Sequence, residues 1–546
     1  MPINRSRTAI VAVLAASLGV ALGCMRATAS AAEARTPGQQ ATPPRLVVLI
    51  TVDQLRGDYL TRFDGEFTSG FKRLTQGGAW FTNAFQDHAI TETAPGHASA
   101  WSGRYPRSTG IVSNSVGVVD PNFTLLTGLK NEVGASPLRF QGTTLYDWLV
   151  AKNRRSRALS VSAKDRGAIL PIGLAKEDVY WYSSNGSFTT SDYYRRFLPD
   201  WVTAFNDRRI PFTYVGGAWR LSRDSAAYKE PDDVPFENRT NPGENVFPHA
   251  FLLDSRAVGS LRATPTIDSI TALFALEGLR KTGIGRGPHT DVLAVSFSAA
   301  DYVGHTYGPD SREAHENMLR LDETLGWFLD SLYKSRDSAS IVIALTGDHG
   351  VQPIPELARE RGQATGDEGL RVSLRQQVED VRARLRSVGA DPESFSYDGE
   401  LVGLDRRALA RVRLNADSIL AAFASAAKQV PGIARVDRLA TIRNADFAVD
   451  PVARRWSHQM PDNSGVDLVI TLTRYSYWSA TITATHGSPY DMDASVPILF
   501  SGAGIKPGRY AVFARTVDIA PTLAALLGVK PLEKIDGVVL MDAIVR

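Results

Sequence analysis

The chain has almost no cysteine, because Cys24 is the single one among 546 residues. An internal disulfide is therefore excluded, since one thiol has no partner within its own chain. An excess of charge of one sign is also missing, and the formal net charge is only +3. A chain this close to neutral has no bulk attraction to nucleic acid or to anionic lipid, so we expect no nucleic-acid scaffold among its partners.

Long apolar runs are equally scarce, and the single candidate lies at the N-terminus. The stretch TAIVAVLAASLGVALG runs from Thr8 to Gly23 and follows Arg5 and Arg7. Sixteen residues are few for a helix that crosses a bilayer, but they are typical of the apolar region of an export signal. We therefore predict a signal peptide over residues 1–31 and a periplasmic or secreted protein.

Two alternatives remain for the end of that signal. Small residues offer a cleavage site near Ala29–Ala32, and Cys24 directly follows ALG, where a lipid anchor would be attached. We expect a membrane association only if Cys24 is lipidated. The polar, proline-containing segment that follows predicts a flexible leader over residues 32–44.

What the chain does contain is a series of short, continuous apolar runs, which suit strands that are covered on both faces of a parallel sheet. The runs are RLVVLITVD ending at Asp53, RALSVSAK ending at Lys164, DVLAVSFSAAD ending at Asp301, SIVIALTGDH ending at His349, and VPILFSGAG near residue 496. Helical patterns lie between several of them, for example over residues 311–335. Strands alternating with helices predict an open α/β sheet.

Two stretches interrupt this rhythm. Residues 167–260 are rich in Tyr, Trp, Asp and Pro and indicate a long insertion. Residues 355–480 carry charged helical patterns followed by strand-like ones and indicate a smaller α+β insertion. The catalytic core is therefore predicted to cover residues 45–354 and 481–546.

Side chains that bind metals follow the ends of the apolar runs. They are Asp53, Asp301, His305, Asp348, His349 and, at the end of the alternating stretch YSYWSATITATH, His486. In open α/β sheets such residues converge outside the carboxyl ends of the strands. Mixed carboxylate and imidazole ligands favour zinc, and six are too many for one tetrahedral ion, so we predict two ions. The alternative for each residue alone is ordinary: an aspartate after a strand often caps a helix.

The segment TETAPGHAS supplies a candidate nucleophile. Pro95 suits the first turn of a helix, and Thr93 falls where the N-cap would lie. A hydroxyl at that position feels the positive end of the helix dipole. These considerations leave Thr91 and Thr93 both open, and a plain capping threonine is the simpler alternative.

Two cations and an amide could hold an anionic substrate. Lys164 and Arg166 are two positions apart, and in an extended segment their side chains point to the same side. Together they could grip a phosphoryl group, and Asn114 could donate a further hydrogen bond. The alternative for the cations is a generally basic surface, because Lys152 and Arg154 lie nearby.

In combination these motifs resemble the alkaline phosphatase superfamily. The matching stretches are TVDQLRGDYL, TAPGHASAWSGRYPRSTGIVSN, SAKDR, DYVGHTYGPDS, TGDHG, ATHGSPYDMDASVPILFSGAG and TVDIAPTLAALLGV. They are most similar to the periplasmic branch with a threonine nucleophile, the phosphate-irrepressible alkaline phosphatases related to nucleotide pyrophosphatases/phosphodiesterases.

The resemblance implies a three-layer α/β sandwich with a mostly parallel central sheet and inserted α+β cap segments. It also implies one zinc held by Asp301, His305 and His486, and a second held by Asp53, Asp348, His349 and the nucleophile Thr93. Asn114, Lys164 and Arg166 would contact phosphate. The implied protein is a phosphomonoesterase that works through a phosphothreonine intermediate on small phosphate esters. We also expect a monomer, although the resemblance does not imply it.

Two other functions compete with this one. The same two zinc ions could serve a phosphodiesterase or nucleotide pyrophosphatase, with the aromatic residues of 180–201 stacking on a nucleobase. A zinc-binding or anion-binding protein without activity is a more distant alternative. A sulfatase is disfavoured, because its nucleophile arises from a Cys or Ser and Cys24 lies outside the predicted fold.

Overall fold

The computed structural model describes residues 43–238 and 245–545. The predicted signal peptide, Cys24 and nearly all of the predicted leader lie outside the described residues. Within the described part of the chain, no helix combines the length and the apolarity that a bilayer crossing requires.

The strands of the described residues are short, and all five predicted apolar runs contain one. They are β1 (Leu46–Val52), β2 (Ala79–Phe85), β3 (Ala158–Ser162), β4 (Asp178–Tyr182), β5 (Phe188–Thr189), β6 (Ala218–Trp219), β7 (His249–Ala250), β8 (Asp291–Phe297), β9 (Ile341–Gly347), β10 (Phe395–Asp398), β11 (Leu401–Leu404), β12 (Ile433–Arg438), β13 (Leu468–Leu472), β14 (Ile498–Gly502) and β15 (Gly508–Arg515).

The α-helices vary from one turn to more than six. They are α1 (Tyr59–Arg62), α2 (Gly70–Gly77), α3 (Thr93–Ser102), α4 (Pro106–Thr109), α5 (Leu145–Lys152), α6 (Asp165–Ile169), α7 (Asp200–Asp207), α8 (Ala257–Ser260), α9 (Thr266–Thr282), α10 (Ala299–Tyr307), α11 (Arg312–Ser335), α12 (Pro355–Glu360), α13 (Arg375–Ser387), α14 (Arg406–Arg411), α15 (Ala416–Ala427), α16 (Leu439–Ile442), α17 (Pro451–Gln459), α18 (Asp491–Ala494) and α19 (Ile519–Leu527). The helix predicted over residues 311–335 is confirmed as α11.

Within the described ranges the central sheet has nine strands in the order β15-β2-β14-β9-β1-β8-β3-β4-β5. The five neighbours from β9 to β4 run parallel to one another. β14 is antiparallel to both of its neighbours, and β5 is antiparallel to β4. The prediction of a mostly parallel α/β sheet is confirmed.

Helices cover both faces of this sheet. In β1, Leu46, Val48 and Ile50 belong to one buried cluster, which also contains residues of α2, α9 and α11. Val47 and Leu49 point to the opposite face, into a cluster with residues of α3, α5 and α19. Strand residues that are buried on both sides explain the continuous apolar runs of the sequence, and they make the fold a three-layer sandwich.

A second, four-stranded antiparallel sheet lies in the predicted 355–480 segment, with strand order β10-β11-β13-β12. Its strands share a buried cluster with α13 and α15, separate from the two clusters of the central sheet. Hydrophobic residues inside this segment are thus buried mainly against one another.

Two local interpretations of the sequence differ from the structure. Within the predicted 167–260 insertion, β4 and β5 extend the central sheet. The alternating stretch before His486 is not a strand: residues 473–490 form an irregular loop apart from one isolated bridge between Tyr477 and Arg371. Alternation alone does not make a strand when the segment has no neighbouring strand to pair with.

Candidate active site

The carboxyl ends of four adjacent parallel strands, β9, β1, β8 and β3, form the candidate site. Val52, the last residue of β1, pairs in register with Phe297 of β8 and Gly347 of β9. Each strand is followed within a few residues by at least one of the polar residues singled out in the sequence, because the strands end at the same level.

The six predicted ligands lie in two groups, each with its ligand atoms within 4.8 Å of one another. We call Asp53, Asp348 and His349 the inner triplet, and Asp301, His305 and His486 the outer triplet. The inner triplet is buried throughout, whereas the histidines of the outer triplet are part-exposed. The groups adjoin, since His349 Nε2 lies 3.9 Å from Asp301 Oδ1 and the rings of His349 and His486 stack at 3.6 Å between centroids.

All three histidines present the same nitrogen to the site. The Nδ1–H groups donate to backbone carbonyls: His305 to Ala484 at 2.8 Å, His349 to Gly350 at 2.9 Å, and His486 to Thr91 at 2.7 Å. This leaves each Nε2 directed at a carboxylate. Such an arrangement is how proteins fix the tautomer and orientation of metal-binding histidines.

The carboxylates of the site need positive charge. Neither oxygen of the fully buried Asp53 accepts a hydrogen bond from the described residues. The ammonium of Lys164 lies 2.7 Å from Asp53 Oδ2, but outside hydrogen-bonding geometry. Burial and the nearby charges of Asp301 and Asp348 raise the pKa of Asp53. A buried carboxylate left in this way is costly unless a cation compensates it.

The two stacked histidines differ in their basicity. Burial acts to lower the pKa of His349, but the carboxylates of Asp348 and Asp53 outweigh it and raise that pKa to about 9. Burial, reinforced by the charge of His349, lowers the pKa of His486 to about 3. His486 is therefore neutral and ready to bind a metal, whereas His349 must release a proton when it does so.

Thr93 lies beside the inner triplet, and its Oγ1 is 3.5 Å from His349 Nε2. It is the first residue of α3, with Glu92 in the N-cap position, so the sequence-based N-cap assignment is wrong by one residue. The hydroxyl still lies at the positive end of the helix dipole. Thr91 lies elsewhere and donates its hydroxyl proton to the carbonyl of Ser488.

Gly96 permits α3 to approach this closely. A Cβ at Gly96 would lie 2.1 Å from the backbone oxygen of Asp348. Any side chain here would push the helix, and Thr93 with it, away from the end of β9. The glycine of TAPGHAS is thus required by packing at the site.

His97 is a residue of the site that the sequence analysis did not single out. Its side chain is fully buried, and its Nδ1 lies 2.9 Å from the Thr93 carbonyl oxygen and 3.2 Å from Asp348 Oδ2. Its Nε2 contacts the hydroxyl of Ser296 on β8 at 2.9 Å. His97 therefore links the candidate nucleophile to an inner ligand. Its place four residues after Thr93, on the same helix face, was the available signal.

Asn114 is held next to Thr93 by two hydrogen bonds. Its Oδ1 accepts from the backbone N–H of Ala94 at 2.9 Å, and its own backbone N–H donates to Glu92 Oε2 at 2.5 Å. Since the carbonyl oxygen is used by Ala94, the Nδ2 amide remains as the donor that can face a substrate.

Lys164 and Arg166 do not lie on one extended segment as the sequence analysis assumed. Lys164 has extended dihedrals at the N-cap position of α6, and Arg166 lies inside that helix. The Lys164 ammonium contacts Asp301 Oδ2 as well as Asp53, which places it between the two triplets. Arg166 lies near the same carboxylates, and its guanidinium Nε has no hydrogen-bond partner among the described residues.

Comparison with known families decides the relationship. Residues 47–389 match the family described as Type I phosphodiesterase / nucleotide pyrophosphatase. The chain belongs to this family. The resemblance to the alkaline phosphatase superfamily drawn from the motifs is thereby confirmed.

Similar proteins cover nearly the whole chain. The alkaline phosphatase PhoV of Synechococcus elongatus is 32% identical, over 97% of this chain and 99% of that protein. The alkaline phosphatase PhoK of Sphingomonas sp. is 31% identical, over 91% of each chain. The crystal structure of the alkaline phosphatase PafA superimposes with a TM-score of 0.85 at 28% identity, covering 93% of this chain and all of that one.

Proposed function

We propose that the protein is an exported, zinc-dependent alkaline phosphatase that hydrolyses phosphate monoesters through a phosphothreonine intermediate. The observation that carries the proposal is the pair of ligand triplets at the strand ends, with the Thr93 hydroxyl at the edge of the inner one. The alkaline phosphatases that cover nearly the whole chain support the monoester class.

Charge and ligand chemistry favour two divalent cations. Three carboxylates of the site are buried together, and Lys164 is the cation in direct contact with two of them. In the deprotonated form that binds a metal, the histidines add no charge, so the three carboxylates outweigh Lys164 and the ligand set is net negative in a low-dielectric interior. Two groups of mixed carboxylate and imidazole donors suit zinc better than calcium or magnesium.

Bound zinc would supply Lewis-acid chemistry, lowering the pKa of a nearby hydroxyl and neutralising a departing oxygen. Thr93 Oγ would attack phosphorus and form the new O–P bond while the P–O bond to the leaving alcohol breaks. Water would then cleave the phosphothreonine, releasing phosphate and restoring the hydroxyl. The dipole of α3 and the bond from His97 to the Thr93 carbonyl hold the nucleophile in place.

Asn114, Lys164 and Arg166 would position the transferred phosphoryl group. A solved variant of PafA carries substitutions at one threonine, one asparagine, one lysine and one arginine. There the threonine and asparagine are 21 positions apart, and the lysine and arginine two apart. Thr93 and Asn114 have the first spacing in this chain, and Lys164 and Arg166 the second. The match supports the assignment of the four residues as one phosphate-handling set.

A phosphodiesterase with the same metals is the second candidate, because the family is named for that activity. Six of the eight aromatic residues of 180–201 are buried, and Tyr180 and Phe188 among them pack against Phe274, which disfavours a nucleobase platform. We therefore favour the monoester, whose dianion matches two cationic side chains.

The test compares p-nitrophenyl phosphate with bis-p-nitrophenyl phosphate on the zinc-loaded protein. We expect a preference for the monoester, and we expect Lys164→Ala/Arg166→Ala to reduce monoester turnover much more than diester turnover. Arg154→Ala, in the neighbouring basic stretch, is the matched control and should change neither. Equal losses for the two esters in the double variant would reject the monoester assignment.

A further inference from the structure

Gln54 follows β1 directly and is next to the inner ligand Asp53. Only 1% of it is exposed, and its backbone φ is +63°. That left-handed conformation is disfavoured for a residue with a side chain, so something in the surroundings must hold it.

The conformation directs two donors of Gln54 to carboxylates of different triplets. Its backbone N–H donates to Asp348 Oδ1 of the inner triplet at 3.0 Å. Its side-chain Nε2 donates to Asp301 Oδ1 of the outer triplet at 2.9 Å. A single residue therefore connects both groups of ligands.

The oxygen that the amide contacts is the one that faces the histidines. Asp301 Oδ1 lies 3.2 Å from His305 Nε2 and 3.4 Å from His486 Nε2. Asp301 Oδ2 points elsewhere and contacts the ammonium of Lys164. The hydrogen bond from Gln54 thus selects which carboxylate oxygen is presented to the outer site.

Gly304 makes room for the amide. It lies in α10, where glycine weakens a helix, and a Cβ there would fall 1.7 Å from Gln54 Oε1. The glycine therefore has a packing role, and the neighbour it accommodates is Gln54.

We propose that Gln54 is a positioning residue that fixes the carboxylates of the two triplets relative to each other, and that Gly304 provides the space for its side chain. The proposal rests on the proposed function only in taking the triplets as zinc sites. A buried glutamine that merely fills space would have no effect specific to one metal site.

Zinc binding by the full chain tests this role without reference to turnover. Gln54→Leu removes the side-chain donor but keeps the size and the backbone N–H. We expect the zinc affinity of the outer triplet to fall by about 10- to 100-fold, the usual effect of losing such a supporting bond, and that of the inner triplet to change less. Competition with a chelator, together with the zinc content per chain by mass spectrometry, measures both.

Gln459→Leu is the matched control. Gln459 is also fully buried: its Oε1 accepts from the Ile90 N–H and its Nε2 donates to the Val112 carbonyl, and neither atom bonds to one of the six ligands. We expect it to lower the melting temperature but not the zinc affinity. An unchanged outer affinity in Gln54→Leu, or an equal loss in Gln459→Leu, would overturn the proposal. An unmodified chain that binds no zinc would overturn the proposed function as well.

A double-mutant cycle tests the part assigned to Gly304. Gly304→Ala alone should weaken the outer site, because the methyl group displaces the amide of Gln54. In the Gln54→Ala background the same change should cost little, because the space is already vacant. Additive losses would show that Gly304 acts independently of Gln54 and would overturn this part.

Discussion

The inner and outer triplets are built from different kinds of structure. The inner ligands follow β1 and β9 directly, and the side chains of Asp53, Asp348 and His349 are all 0% exposed. The outer ligands come from α10 and the 473–490 loop, and the side chain of His305 is 32% exposed. The central sheet therefore fixes the geometry of the inner triplet, whereas the geometry of the outer triplet depends on how α10 and the 473–490 loop pack against each other.

The largest expected effect separates two threonine hydroxyls: that of Thr93, beside the inner triplet, and that of Thr91, which is bonded to the Ser488 carbonyl. Thr93→Ala should lower kcat/KM for p-nitrophenyl phosphate by on the order of 10⁴-fold or more, because it removes the proposed nucleophile. Thr91→Ala is the matched control: its carbonyl, which binds His486, is retained, so we expect only a small loss. Steady-state kinetics measure both, and a larger loss in Thr91→Ala would reassign the nucleophile.

A second experiment tests whether the two sites differ in how firmly they hold metal. Chelator added to the zinc-loaded protein should release zinc in two phases, the outer one faster because its ligands are part-exposed. His486→Ala should abolish the fast phase and leave the slow one, and His349→Ala should abolish the slow one. A colorimetric zinc indicator measures the release. A single phase would contradict the expected difference between the inner and outer triplets.

The smallest effect concerns the pH dependence of the metal-free protein. The pKa of His349 is raised to about 9, so the stability it contributes is present below about pH 6.5 and is lost as the pH rises through 9. The pKa of His486 is lowered to about 3, so stability is lost as the pH falls from about 6.5 towards 3. Within its pH range, each histidine changes the free energy of unfolding by at most about 1.4 kcal/mol per pH unit.

Urea unfolding of the metal-free protein checks these slopes. The difference between the parent and His349→Gln should change between pH 6.5 and 9, and that between the parent and His486→Gln between pH 3 and 6.5. The stability difference should fall with rising pH for His349→Gln and rise with rising pH for His486→Gln. If both differences changed in the same direction, the assigned pKa shifts of the two stacked rings would be contradicted.

Much of the fold and the site could be predicted from the sequence, for a physical reason. Strands buried on both faces produce continuous apolar runs, and the residues that end them, such as Asp53, Asp301 and Asp348, must meet at one sheet edge. The strand predicted before His486 is wrong, because His486 lies within the irregular 473–490 loop, whose polar and apolar residues merely alternate.

Other features left no such trace. Glutamine has no preference for the left-handed backbone conformation that Gln54 adopts, so the sequence could not predict it. Tertiary contacts hold this conformation. The aromatic residues around Tyr180 indicated a surface platform, but their burial depends on Phe274 of α9, far away in the chain. The position of Lys164 between the two triplets likewise could not be predicted from the sequence, because it depends on contacts with Asp53 and Asp301.

The position of His486 so late in the chain has a consequence for biosynthesis. A growing polypeptide has all residues of the inner triplet once residue 349 has been added, but the outer triplet lacks one ligand until about nine-tenths of the chain, up to His486, has been made. A product that ends before residue 486 would therefore lack one ligand of the outer triplet. Completion of both ligand groups is in this way coupled to synthesis of nearly the entire polypeptide.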